Sequence, residues 1–273
     1  MLYHKNNKNI NSIQGSKDLI HCIYLILFVL TIAWVWGLIL NEVLPRDTKI
    51  RSVITFILVI CNFGFVLTLL KLEKKSLRDI GFSKISNTPQ QKRFLICFLC
   101  LLIILGIAFP AWVGVQFYER KVDFTAFQYF VMLPIFFIID PMEESAFSGY
   151  LNQYLPYSQK KKDFLIGFVY AFWHFPLTLC LVEDPTPYIS PISIFLQFSN
   201  YVGMRFIMNW FRNTTGTIWW AVLFQSFVTS SNNVGNSMVG VYGDEGITFF
   251  GISLIMMVII TIGILIMRRY FKK

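Results

Sequence analysis

Eight apolar stretches, each bounded by a polar one, constrain this chain more than any other feature. They cover residues 19–40, 52–70, 94–117, 124–142, 164–182, 189–211, 217–229 and 247–267. A transmembrane α-helix needs about 20 predominantly apolar residues, and most of these stretches reach or approach that length. The seventh is short and turns polar at its end. Only 14% of the residues are charged, against about 25% in a soluble domain. A backbone in hydrocarbon must satisfy its own hydrogen bonds, so runs of this length read as helices. The expected fold is all-α: a polytopic membrane protein with about eight transmembrane helices. Residues 1–18 form a polar N-terminal tail, and 19–273 form a single helical membrane domain.

The charges orient that bundle. The sequence carries a net charge of +9, a value that on its own could suggest nucleic acid. Most of the basic residues fall instead at alternate ends of the stretches: Lys5, Lys8 and Lys17; Lys71, Lys74, Lys75, Arg78, Lys84, Lys92 and Arg93; Lys160 to Lys162; Arg205 and Arg212; and Arg268, Arg269, Lys272 and Lys273. Cytoplasmic loops are enriched in Lys and Arg, so both termini are expected to be cytoplasmic, in a multi-pass protein of the plasma membrane. The expected environment is membrane lipid, with no nucleic-acid partner. The first apolar run follows 18 polar residues and lacks a small-x-small cleavage site, so it reads as a span rather than a leader. Five cysteines (22, 61, 97, 100 and 180) all fall in apolar segments, which argues for packing rather than a disulfide framework. Asn62 interrupts the second run and reads as an interhelical hydrogen-bonding residue.

Charge inside an apolar stretch is where chemistry is expected, because an Asp at a helix centre costs roughly 2.5–3.5 kcal/mol on the insertion scale. Glu143 and Glu144 follow the fourth stretch, behind Pro134 and Pro141, which predict a bend. Adjacent residues on a helix point about 100° apart, so the two carboxylates need different partners. One is a candidate general base, and the other a support. Glu144 and Ser148 are four apart and share a face. His174 lies mid-helix among aromatic residues and is placed to orient a water. Gln225 and Thr229 are again four apart and read as donors to an oxyanion. Each of these polar groups taken alone is also compatible with a plain bond between helices.

In that order the segments resemble the CPBP intramembrane proteases, the CAAX-prenyl-protease and bacteriocin-processing group that includes the eukaryotic type II CAAX endopeptidase. Glu143-Glu144-Ser145-Ala146-Phe147-Ser148 is similar to the first family motif, with Ser148 where the family has Arg. Tyr170-Ala171-Phe172-Trp173-His174 is similar to the Phe-x-x-x-His motif, with Tyr170 for Phe, and Gln225 and Thr229 stand where the third motif has His and Asn. Ser76-Leu77-Arg78-Asp79-Ile80-Gly81-Phe82 is similar to a segment preceding the family core, so the resemblance covers about residues 76–235. It implies that Glu143 and His174 activate water and that Gln225 and Thr229 face the oxyanion. No cofactor is expected. Zinc mechanisms described for the family need more than one histidine, and His4 and His21 lie outside the matched region.

The substitutions at Ser148, Gln225 and Thr229 favour a degenerate intramembrane-protease site that binds a membrane-anchored peptide or a partner membrane protein, in bacteriocin immunity or a cell-envelope role. The alternative is an active glutamate-dependent intramembrane endopeptidase. A small-molecule transporter fits poorly, since no internal repeat is visible.

Overall fold

A computed structural model describes residues 3–43, 48–84, 126–181 and 189–239. These residues are helical throughout, with no strand among them. Helix α1 spans Tyr3–Val43 and α2 spans Thr48–Leu72. A 3-10 turn follows at Leu77–Ile80. Helix α3, Ala126–Glu144, runs without a break into a π-helical segment, Ser145–Leu151. A single helical turn, Asn152–Tyr154, follows, and then three long helices: α4 at Gln159–Leu181, α5 at Pro191–Thr215 and α6 at Trp219–Val239. The expected spans at 94–117 and 247–267 lie outside the described residues, as do Cys97 and Cys100.

Two of these helices are long and apolar enough to cross a membrane, over Gly15–Gly37 and Val53–Leu72. A soluble protein's core helix could pass the same test, but its apolar side chains would be covered. Here Leu27, Val35, Val53, Ile57 and Phe195 lie exposed, while Glu144, Arg205, Asn209 and Gln225 are buried. Apolar outside and polar or charged inside is the arrangement that suits lipid, so the described helices are those of a membrane protein. Lipid tails are as apolar as the side chains they touch, so close packing and polar contacts between helices do most of the associating. Phe28 of α1 stacks on Phe65 of α2, ring centroids 4.2 Å apart. Gly167 of α4 lies so close to Val202 of α5 that an added Cβ would stand 3.0 Å from the Val202 Cα.

Several expectations need correcting. The polar residues ahead of the first apolar run continue the helix, which begins at Tyr3; no proline interrupts residues 3–43, and Gly15 is the only glycine before the apolar run. Pro134 and Pro141 both lie inside α3, which continues through them to Glu144 before the winding loosens. Asn62 is buried, and among the described residues neither of its side-chain polar atoms has a hydrogen-bond partner. Arg205, grouped above with the basic helix ends, is buried in the middle of α5.

The end of the bundle where α2 finishes and α4 begins is tied together by polar contacts. Glu73 forms an ion pair with Lys75 at 2.7 Å and accepts from the Tyr150 hydroxyl at 2.5 Å and from His21. Asp163 accepts from Gln159 at 2.7 Å and from Asn209 at 3.0 Å. Gly81 ends the 3-10 turn at φ 101°, a left-handed conformation open to glycine at little cost. Its carbonyl accepts from the Ile218 amide at 3.0 Å and the Thr217 hydroxyl at 3.1 Å, which clips the turn to the start of α6.

Candidate active site

The geometry starts from the joint between α3 and the π-helical segment. A π-turn shifts the register of a helix, and such turns recur at functional sites. Every residue from Ser145 to Leu151 is buried. The joint turns Glu143 and Glu144 into the bundle, and the two acquire different partners.

Glu144 has no exposed surface and meets Arg205 through both guanidinium ends, Nη1 at 2.8 Å from Oε2 and Nη2 at 2.7 Å from Oε1. The Ser148 hydroxyl, one turn on, donates to the same carboxylate. This is the two-pronged pairing at which arginine excels. The guanidinium also lies over the Tyr170 ring, 3.5 Å from its centroid.

Glu143 has a different setting. Its Oε1 accepts from the Gln225 amide nitrogen at 2.6 Å and lies 3.5 Å from His174 Nε2 and 3.6 Å from Arg205 Nη2. His174 is stacked on Tyr201, ring centroids 4.6 Å apart with planes 9° from parallel, and meets the edges of Tyr170 and Trp173. The imidazole is therefore fixed in orientation. Among the described residues it has no hydrogen-bond partner at Nε2, the nitrogen that faces Glu143.

The structure thus brings Glu143, Glu144, His174 and Gln225 together from α3, α4 and α6. Thr229 lies one turn beyond Gln225 and is half-buried. Two acidic or basic members escaped the sequence reading. Arg205 carried a legible signal, an isolated charge among Val202, Met204, Phe206 and Ile207, but was grouped with helix ends. Asp140 stands one turn before Glu144, is buried, and accepts from the Ser226 hydroxyl at 2.7 Å; it opens the acidic motif itself and went unassigned.

Among the described residues no group of three His, Cys, Asp or Glu side chains is arranged to hold a metal ion. The donors present also fit zinc poorly, since the cation facing Glu144 is a guanidinium and the group nearest Glu143 is a neutral amide.

Comparison with known families agrees with this geometry. Residues 125–230 match the family model described as type II CAAX prenyl endopeptidase Rce1-like, a stretch that runs from the start of α3 to the middle of α6 and holds the whole cluster. The resemblance drawn from the three motifs is to this same group. No curated protein and no solved structure matches the chain.

Proposed function

We propose, from the premise of a type II CAAX prenyl endopeptidase-like segment, that this chain is an intramembrane endopeptidase that cleaves membrane-anchored peptides by a glutamate–water mechanism. The observation that carries the reading is the pairing of Glu143 with His174 across α3 and α4, at 3.5 Å, in a bundle whose other central glutamate is already neutralised by Arg205. Glu144 is committed to structure, and Glu143 is the carboxylate left for chemistry.

In the reaction a water held between Glu143 and His174 attacks the scissile carbonyl carbon as Glu143 takes one of its protons. The carbonyl oxygen gains the electron pair. A primary amide nitrogen has two hydrogens; that of Gln225 gives one to Glu143, leaving the other for the oxyanion, with the Thr229 hydroxyl as a second donor. Collapse breaks the C–N bond, and the proton on Glu143 passes to the leaving amine. The working arrangement is a multi-pass protein of the plasma membrane with both termini inside and about eight spans.

One observation favours a second reading. The Gln225 amide is drawn to Glu143 at 2.6 Å, where it competes with water for the same oxygen. On this reading the pocket binds a peptide or partner membrane protein without cutting it, as a bacteriocin-immunity or cell-envelope component would. Purified protein in liposomes with membrane-anchored peptides separates the two. Cleavage abolished by both Glu143→Ala and His174→Ala supports the peptidase. A cellular phenotype that survives both substitutions, with the partner still co-purifying, supports the binding role.

A further inference from the structure

We infer that Arg205 is a positioning residue of this site, holding Glu144 and Gln225 so that the amide end of Gln225 must face Glu143. The inference rests on the peptidase reading for its effect on rate, but not for its structural content.

The argument begins with what each group can offer. A guanidinium has only donors, an ionised carboxylate only acceptors, and a primary amide one end of each kind. Arg205 Nη2 stands 3.2 Å from Gln225 Oε1 and 2.7 Å from Glu144 Oε1. On its other side, the Gln225 nitrogen donates to Glu143 Oε1 at 2.6 Å. Turning the amide over would set donor against donor at Arg205 and acceptor against acceptor at Glu143. The guanidinium thereby fixes the amide, and the amide fixes the carboxylate that faces His174. Lysine could supply the charge, but not the planar fork that spans Glu144 and Gln225 together.

The second observation concerns Ser148. Arg205 Nη1 lies 3.4 Å from the Ser148 hydroxyl, at the position where the motif resemblance expects an arginine. Serine is too short to bridge the cluster. The guanidinium comes instead from α5, a neighbouring helix, and arrives beside the same carboxylate. The missing arginine of the first motif is thus made good in space though absent in sequence. On this view the Ser148 substitution does not by itself disable the site.

The test combines turnover with a readout that needs none. Cleavage of a membrane-anchored peptide in liposomes is compared for wild type, Arg205→Gln and Arg205→Lys. A shift of reacting groups by about 1 Å can cost about 10²-fold in rate, so Arg205→Gln is expected to lower kcat by about that factor with KM little changed. The Gln225 side-chain amide resonance of 15N-labelled protein is followed in parallel and is expected to move in both variants. In a Ser148→Arg/Arg205→Ser swap, both readouts are expected to return towards wild type. Wild-type kcat and an unmoved resonance in folded Arg205→Gln overturn the proposal, as does a folded swap no better than that variant. If Arg205→Gln does not fold, Arg205→Lys carries the same criteria. If wild type cleaves nothing, the peptidase reading falls and the resonance alone decides the role of Arg205.

Discussion

Tyr150 lies in the π-helical segment that follows the two glutamates, and its hydroxyl donates to Glu73 just past the end of α2, at 2.5 Å. The same carboxylate accepts from His21 of α1 and pairs with Lys75, whose ammonium stands 3.5 Å from the Tyr154 ring centroid. One side chain therefore links α1 and α2 to the segment that positions Glu143 and Glu144.

This latch predicts an acid-side loss of stability. Partial burial works against ionisation of Glu73, but bonds from Lys75, Tyr150 and His21 outweigh it and hold the carboxyl below its usual range. A group whose folded value is depressed contributes stability that is present above its unfolded value, about 4.3 for Glu, and is lost as pH falls through the folded one. Lys75 is shifted the other way; burial opposes this, but Glu73 raises it, so its contribution persists below about pH 10.4 and fades above. Thermal unfolding in detergent should show the wild-type Tm falling below about pH 4, with a shallower fall in Glu73→Gln. Parallel curves for the two proteins would mean that the latch adds nothing. Tyr150→Phe removes one bond to a charged group and is expected to cost about 1.5–3 kcal/mol near neutral pH.

Gln225 is the residue on which the two functional readings part. Gln225→Leu keeps the bulk but leaves a buried Arg205 N–H and a Glu143 oxygen without their partner, about 1–3 kcal/mol for each group. Gln225→His keeps one donor and one acceptor, as a neutral imidazole does. The leucine variant should therefore melt well below wild type and lose activity, by about 10²–10³ if an oxyanion donor is lost. The histidine variant should stay folded, but its single N–H is taken up by Glu143, so its cleavage should still fall as an oxyanion donor is lost. Equal melting temperatures for the leucine variant and wild type would show that the amide does not bridge the two helices.

Much of this site could be read from spacing. Adjacent carboxylates on a helix point apart, and Glu144 takes the two-pronged contact with Arg205 while Glu143 takes the Gln225 amide, with Arg205 Nη2 at a longer 3.6 Å. The i, i+4 relation of Glu144 and Ser148 reappears as a hydrogen bond. The bond of Gly81 to Thr217 and Ile218 at the start of α6 was not legible, since the Ser76–Phe82 stretch showed only its resemblance to a segment preceding the family core. Arg205 was misplaced because a count of loop charges treats every arginine near a helix end as solvated, whereas its partner lies 61 residues away in sequence. The π-helical winding after Glu144 was equally hidden, since nothing in Ser145–Leu151 distinguishes it from an ordinary helix until the neighbouring contacts are known.

The Glu144–Arg205 pair predicts a non-additive pattern of stabilities. Removing one member of a buried ion pair strands the other charge and typically costs about 3–5 kcal/mol, whereas replacing both with apolar groups of similar volume is often close to neutral. Both side chains here have no exposed surface. Glu144→Gln and Arg205→Met should each lower the Tm strongly. The double Glu144→Leu/Arg205→Met variant should be more stable than either single one, while remaining inactive. A double variant whose loss equals the sum of the two would show that the charges are not coupled.

Gly81 provides a test outside the carboxylate cluster. At φ 101° an alanine is strained, and its Cβ would run into the Arg212 guanidinium. The left-handed conformation alone costs a non-glycine residue about 1–2 kcal/mol. Relief of that strain would pull the Gly81 carbonyl away from Thr217 and Ile218, which hold the first turn of α6. Gln225 lies two turns further along the same helix, so Gly81→Ala should lower both Tm and cleavage. Gly64→Ala is the control, because a Cβ there meets nothing within 4 Å, and helix propensity favours alanine by up to about 1 kcal/mol. If both variants melt alike, the clip at Gly81 does not set the position of α6, and the register of Gln225 must be held from within the bundle.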